Sequence, residues 1–237
     1  GNGDFFKMTH ATNFDFTGQV SVECWFKLAA AVNWGVLFCQ ETGDRFQLAV
    51  TNTDTLDVRW NGSQLGTPFA VSQDTWHHLL ITRDGSNNVR QFLDGVLKNN
   101  NSDSNSLDTG YLVIGTNQAG ANPFNGFISN VRFINGSIPT GYQTSETSVG
   151  TTVFTPSTVP FTTTSQGATA GDVKLLTCQS SNFADNSNTL VKVVESGNAN
   201  TRPVFPFANT TIAQQTTSLS GLYRGSIRNV GFLDDSS

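Results

Sequence analysis

The stretch VSVECWFKL, residues 20–28, sets Val20, Val22, Cys24, Phe26 and Leu28 against Ser21, Glu23, Trp25 and Lys27. Apolar side chains at every second position are the mark of a strand with one face in a core and one face outward. The alternation continues on both sides. Val36 to Gln40 and Phe46 to Val50 read as two strands joined through Gly43-Asp44, and Leu56, Val58 and Trp60 as another, closed by the turn Asn61-Gly62. WHHLLITRDG (76–85) puts Trp76, His78, Leu80 and Thr82 on one face and ends in an Asp84-Gly85 turn. In VRQFLDGVL (89–97), Asp94-Gly95 suits a two-residue hairpin loop, where φ must be positive. A polar loop over 98–108 then leads to YLVIG (111–115). In FISNVRFING, Ile128 and Val131 stand three apart, so both reach a core only across a bulge. Short strands with frequent turns and no amphipathic helix define an all-β sandwich or barrel.

Composition agrees. Of 237 residues only 13 % are charged, 18 are Phe, and the formal net charge is −5. An acidic chain is a poor partner for nucleic acid or an anionic membrane, and neither is expected. No apolar run reaches the roughly 18 residues that span a bilayer. The opening Gly1-Asn2-Gly3-Asp4 reads as a turn, which suggests sequence upstream of it. Three cysteines are an odd number without metal-type spacing. They are expected to be reduced, with a Cys24–Cys39 bridge as the alternative.

The chain divides into 1–136, the sandwich, and 137–172, a Ser/Thr/Pro-rich crossover expected to pack against it, with a flexible linker as the alternative. In 173–207, KLLTCQ (174–179) and LVKVVE (190–195) are strand-like, and they either complete the sandwich or begin a neighbouring unit. The final 208–237 reads as an arm that docks on another subunit.

Taken in order, GNGDFFKMTH, VSVECWFKL, WHHLLITRDG, VRQFLDGVL, YLVIG and FNGFISNVRF resemble the laminin-G-like branch of the concanavalin A-like lectin/glucanase superfamily. The residues that carry the likeness are Glu23-Cys24-Trp25, Trp76-His77-His78, Asp94-Gly95 and the set Gly126, Ile128, Val131 and Arg132. The resemblance covers residues 1–136 and implies a jelly-roll β-sandwich with a C-terminal, strand-containing extension. The second half is similar to the continuation found in structural proteins of tailed phages, especially marine ones. It does so through Phe154–Thr162, Lys174–Ser187, Gly197-Asn198 and Val204–Phe207.

The superfamily includes glycosidases, which need two carboxylates facing one another across the scissile bond. The four glutamates, Glu23, Glu41, Glu146 and Glu195, provide no pair on one strand, and Asp54 and Asp57 read as turn markers. The adjacent His77 and His78 must point to opposite faces, one towards the core and one to the surface. No Ser-His-Asp arrangement is visible in motif or turn chemistry, and the chain is expected not to be an enzyme. No cofactor is expected. Calcium, which the resemblance brings in, stays open without a ligand set, because Asp4, Asp44, Asp84, Asp94 and Asp108 all have an ordinary role in turns.

A glycan site needs an aromatic platform with amides beside it. Trp34, Trp60, Asn117, Asn122 and Phe124 are the candidates, Trp60 also reading as core. The expectation is a structural or adhesive virion protein of a tailed phage, a capsid decoration or a tail or fibre component. It would be assembled in the host cytoplasm as a homo-oligomer among other virion subunits and displayed on the particle to meet host surface glycans. The alternatives are a carbohydrate-binding module of a bacterial or eukaryotic extracellular protein and, behind it, a glucanase-type glycosidase.

Overall fold

A computed structural model describes residues 5–8, 12–40, 45–107, 112–180, 184–196 and 206–207. The expected turns at Gly1–Asp4, Gly43-Asp44 and Gly197-Asn198, together with His10, Glu41, Asp108 and the arm 208–237, lie outside the described residues.

The strands are β1 (Phe5–Met8), β2 (Val20–Leu28), β3 (Gly35–Gln40), β4 (Phe46–Val50), β5 (Thr55–Trp60), β6 (Ser63–Gln64) and β7 (Phe69–Ala70). They continue with β8 (Trp76–Arg83), β9 (Asn88–Leu93), β10 (Val96–Ser102), β11 (Leu112–Ile114), β12 (Gly126–Asn135), β13 (Val173–Thr177) and β14 (Val193–Ser196). One sheet runs β14-β1-β11-β3-β4-β5-β6 with β7 also on β5, and the other runs β10-β9-β8-β2-β12-β13. Strand neighbours pair antiparallel, and the two sheets face each other as a jelly-roll sandwich. The late strands β13 and β14 are edge strands of these same two sheets.

Alternation places the residues it should. Val20, Val22, Cys24, Phe26 and Leu28 of β2 meet Phe46, Leu48, Leu56, Val58 and Trp60 of the other sheet in one core. Its aromatic centre is Phe16, Phe46 and Trp60, with ring centroids 4.7 to 5.5 Å apart. The register of β12 against β2 shifts between Ser129 and Arg132, so Ile128 and Val131 both face that core. Asn61-Gly62 and Asp94-Gly95 take positive φ in their hairpins. Gly95 is also held by contact, because a Cβ there would stand 1.9 Å from the Phe154 carbonyl oxygen.

Two expectations need correction, and one alternative falls away. The loop over 98–108 begins later than its polarity suggests: β10 continues to Ser102 across a bulge between Leu97 and Asn99. Its asparagines stay in the strand because Asn99 hydrogen-bonds Gln91 and both backbone groups of Thr67. Cys24 and Cys39 cannot be bridged, since they sit in different sheets. Cys24 faces the inter-sheet core, and Cys39 lies in a separate cluster with Val36 and Ala49. Finally, the outward face of β2 and β8 is not a surface.

Residues 137–172 cover that face. Ile138 and Tyr142, with Val153 and Phe154 against them, pack on Leu80, Phe92 and Leu97, while Phe161 and Ala168 pack on Ile134, Val173 and Leu176. This third layer buries Ser21, Glu23, His78 and Arg132, which period-2 reading alone would leave half-exposed. The two histidines do point to opposite faces, but neither lies at the surface: both are buried, His78 wholly. The crossover is fixed by backbone hydrogen bonds from Leu97 to Thr151 and from Val153 to Gly95, so it is an added edge as well as a cover.

Candidate functional site

Three of the residues that carry the family likeness, Glu23, His78 and Arg132, converge beneath the crossover. Glu23 lies at the centre of three neighbouring strands, with His78 on β8 and Arg132 on β12. Glu23 Oε2 accepts from His78 Nε2 at 3.0 Å and from the Tyr142 hydroxyl at 2.7 Å. Glu23 Oε1 stands 2.6 Å from both Nε and Nη2 of Arg132. Arg132 Nη1 donates to the carbonyls of Thr162 and Ser165, and its guanidinium stacks on Phe161. Burial pushes the Glu23 carboxyl up, but Arg132, His78 and Tyr142 together outweigh it and hold it below the ordinary glutamate value. Glu23, His78, Arg132 and Tyr142 are each within 1 % of full burial. The arrangement is a clasp that locks the crossover to the sheet, and substrate has no access to its carboxylate.

The opposite chemistry collects at one rim. Loops over 29–34, 51–54, 71–75 and 116–125 are tied together there by backbone hydrogen bonds. These run from Ala29 to Asn125, Val36 to Asn122, Asp74 to Leu28 and Val71 to Asp54. Trp34 enters β3 from this rim and lies half-buried on the outer face of its sheet, packed on Val36, Cys39 and Ala49. Its Nε1 donates to Gln47 Oε1 at 2.5 Å, and the Arg59 guanidinium stands 4.5 Å over its ring. Gln47 and Arg59 are cross-strand partners of β4 and β5, so both project from the same face. Beside them Asp57 Oδ1 is 3.6 Å from Arg59 Nε. Burial pushes the Asp57 carboxyl up, and Arg59 offsets this only in part. Gln47 Nε2 and Asp57 Oδ1 are both buried without a hydrogen-bond partner, which leaves this cluster short of donors and acceptors.

The other saccharide candidates divide. Asn122 is exposed, in the left-handed region at φ 58°, and its carbonyl is held by Val36 beside Trp34. Trp60 and Phe124 are core residues: Trp60 is 1 % exposed, and Phe124 packs edge-on to Phe26 at 6.2 Å. Trp60 is in phase with Leu56 and Val58, so the alternation already assigned it inward. Asn117 is buried and shapes its own loop, its Oδ1 accepting from the amides of Ala119 and Ala121. Thus Trp34 and Asn122 lie together at the rim with Gln47, Asp57 and Arg59 around the indole, whereas Trp60, Asn117 and Phe124 are buried. The signal for Gln47, Asp57 and Arg59 was available: they occupy the polar phase of two adjacent strands.

A second convergence at the rim was not expected. His77 Nδ1 is 2.7 Å from Asp94 Oδ2, and His77 Nε2 is 2.8 Å from Ser72 Oγ. Asp94 Oδ1 also accepts from the backbone of His78 at 2.8 Å. Asp94 had been read as a turn residue, a role it also fills with φ 52°. Asp84 serves its turn likewise, through the amides of Ser86 and Asn88. Elsewhere a cleft of about 260 Å³ opens between Arg90, Asp84 and Thr82 on one side and Tyr142, Gln143 and Thr144 on the other. Among the described residues no group of three His, Cys, Asp or Glu side chains is placed to hold a metal ion.

A sequence profile of the concanavalin A-like lectin/glucanases superfamily matches residues 1–139. The chain belongs to that superfamily. Among solved structures, a candidate carbohydrate-binding protein from Bacteroides ovatus ATCC 8483 superposes with a TM-score of 0.56 at 12 % identity, over 81 % of this chain and 56 % of that one. A Trypanosoma rangeli sialidase variant displaying trans-sialidase activity matches at TM-score 0.41 and 11 % identity, over 49 % of this chain and 20 % of its own. The binding domain of Paraclostridial Mosquitocidal Protein 1 matches at 0.37 and 12 %, over 48 % and 34 %. This chain thus spans about half or less of these proteins, and such identities speak to the superfamily's fold alone. No curated protein gives a significant sequence match.

Proposed function

We propose that this chain is a saccharide-binding, adhesive sandwich of a tailed-phage virion, recognising glycans at the rim around Trp34. The observation that carries the binding is the Trp34–Gln47–Arg59–Asp57 cluster. An indole is fixed by a cation above it and an amide at its edge, and two buried polar atoms beside it lack partners. A sugar ring docked against the half-buried indole meets the Arg59 guanidinium, whose side chain is 40 % exposed and whose N–H groups can donate to sugar hydroxyls. The carbohydrate-binding description of the Bacteroides ovatus protein accords with this. The virion setting rests on the phage-like segments Phe154–Thr162 and Lys174–Ser187. Binding, and not glycoside cleavage, is proposed, because Glu23 is consumed by the clasp.

A glycan array probed with the purified chain tests the binding. Retention of one glycan class, weakened about tenfold or more by Trp34→Ala and by Arg59→Ala, is the expected result. Binding indifferent to both variants would move the site elsewhere. Mass spectrometry of purified particles tests the setting, and particles lacking the chain refute it.

A further inference from the structure

The Ser72–His77–Asp94 constellation has the connectivity of a nucleophile, its base and the group that orients the base. The order of contacts is serine oxygen to Nε2 at 2.8 Å, then Nδ1 to carboxylate oxygen at 2.7 Å. Each member is placed for its part. Ser72 is exposed, at the start of an exposed stretch that runs to Thr75. His77 is 8 % exposed, held on the inner face of the sheet against the Phe26 ring at 5.7 Å. Asp94 is fixed by the hairpin and by the His78 amide. Burial pushes its carboxyl up, but the hydrogen bonds from His77 and the His78 amide outweigh this and keep it ionised. The Ser72 amide also donates to Nε2 at 3.2 Å, which leaves that nitrogen an acceptor and puts the proton on Nδ1, facing Asp94. This is the tautomer a general base needs. The Gln73 amide, next after the serine, has no backbone acceptor among the described residues, and it is the donor the site would turn to an oxyanion.

We propose that Ser72 is the nucleophile of an ester-hydrolysing site at the glycan-binding rim, removing short acyl groups from acylated saccharides. The choice of saccharide rests on the function proposed above. Ser72 stands on one of the loops tied together at the rim that also bears Trp34 and Asn122, and its open setting suits an ester presented on a polymer surface. Ser72 Oγ attacks the ester carbonyl and forms the acyl C–O bond while its proton passes to His77 Nε2. Collapse of the adduct breaks the bond to the sugar oxygen, which leaves with the proton from Nε2. Water then attacks the acyl-serine, gives a proton to Nε2, and that proton returns to Ser72 Oγ as the acid departs. The sum is ester plus water to carboxylic acid plus alcohol. Asp94 is a positioning residue throughout.

A fluorophosphonate probe and p-nitrophenyl acetate test the site without any saccharide. Labelling is expected on Ser72, located by peptide mass spectrometry and absent from Ser72→Ala and His77→Gln. Hydrolysis of p-nitrophenyl acetate is expected to fall on the order of 100-fold in those variants. Asp94→Asn keeps the turn conformation and is expected to lower kcat with KM unchanged, which a merely structural aspartate would not do. Melting curves confirm that each variant is folded. No label on Ser72, or a label indifferent to His77→Gln, overturns the proposal. A chain that binds no glycan and still labels at Ser72 keeps the ester site and loses the saccharide. Release of acetate from an O-acetylated glycan, dependent on Ser72, joins the two.

Discussion

Glu23 is the residue on which the buried chemistry turns. A carboxylate with no access to water is tolerated because three donors, His78, Arg132 and Tyr142, replace its hydration. Removing one partner leaves the others uncompensated, so Arg132→Met is expected to destabilise the chain by about 3–5 kcal/mol in urea unfolding. The pH dependence follows from the direction of the shift. The folded Glu23 carboxyl lies below its ordinary value of 4.5, so its contribution is complete above that pH and disappears as pH falls through the folded value. Asp84, pulled down to about 2 by Asn88, Arg90 and turn amides against the upward push of burial, acts with the same sign further into acid. The share of stability that Glu23 and Asp84 supply should therefore be constant from pH 7 to about 5 and decline below, so the acid decline should be shallower in Glu23→Gln. Burial also pushes the Cys178 thiol up to about 12 and the Cys24 thiol higher still. Cys24 and Cys39 are buried, so neither should react with Ellman's reagent before unfolding, whereas the partly exposed Cys178 should react slowly, and three thiols should react after unfolding. Rapid native labelling of any of them would contradict this packing.

At the scale of elements, glycines separate conformational strain from contact. Gly62 takes φ +77° with open space around it, so Gly62→Ala carries only the left-handed penalty, about 1 kcal/mol. Gly95 takes φ +80° and faces the Phe154 carbonyl, which cannot yield without shifting the crossover. Gly95→Ala is expected to cost about 2 kcal/mol or more and to speed amide exchange at Leu97 and Val153, whose hydrogen bonds hold that crossover. Equal effects of the two substitutions would show that the crossover does not depend on the hairpin. The hairpins and the β12 bulge were legible because each leaves a local trace: Asp-Gly at a turn, or Ile128 and Val131 out of phase. The covered outer face was not legible, because Ser21, Glu23, His78 and Arg132 are polar and read as solvent-facing. The pairing of Glu23 with His78, Arg132 and Tyr142, which makes burial tolerable, joins residues as far apart as 23 and 142. The same holds at the rim. Trp34 stood out as a tryptophan in a loop, whereas Gln47, Asp57 and Arg59 gain meaning only once β3, β4 and β5 are aligned. Ser72 reaches His77 across one loop, but Asp94 comes from a different hairpin and already had a sufficient local role.

At the scale of the whole molecule, the sandwich outruns the sequence by which the superfamily is recognised. The matching profile ends at 139, yet Tyr142 and Phe161 lie beyond it and close the clasp. So do β13, which contributes Leu175 to the inter-sheet core, and β14, which covers the outer edge of β1. A fragment ending at residue 139 would leave Glu23, His78 and Arg132 on an open sheet face, with the edges of β1 and β12 unpaired. Open edges beside apolar faces invite association between chains. The fragment 1–139 is therefore expected to aggregate, or to unfold without a cooperative transition. The fragment 1–207, which keeps every strand pairing found among the described residues, should unfold in one step with a midpoint within a few degrees of the full chain. Circular dichroism melts with size-exclusion chromatography decide between them. A monomeric, cooperatively folding 1–139 would show that the clasp and the late strands only decorate an autonomous sandwich. Failure of 1–207 to fold would place part of the core in residues 208–237, and those residues would then belong to the sandwich and not to an arm that serves assembly.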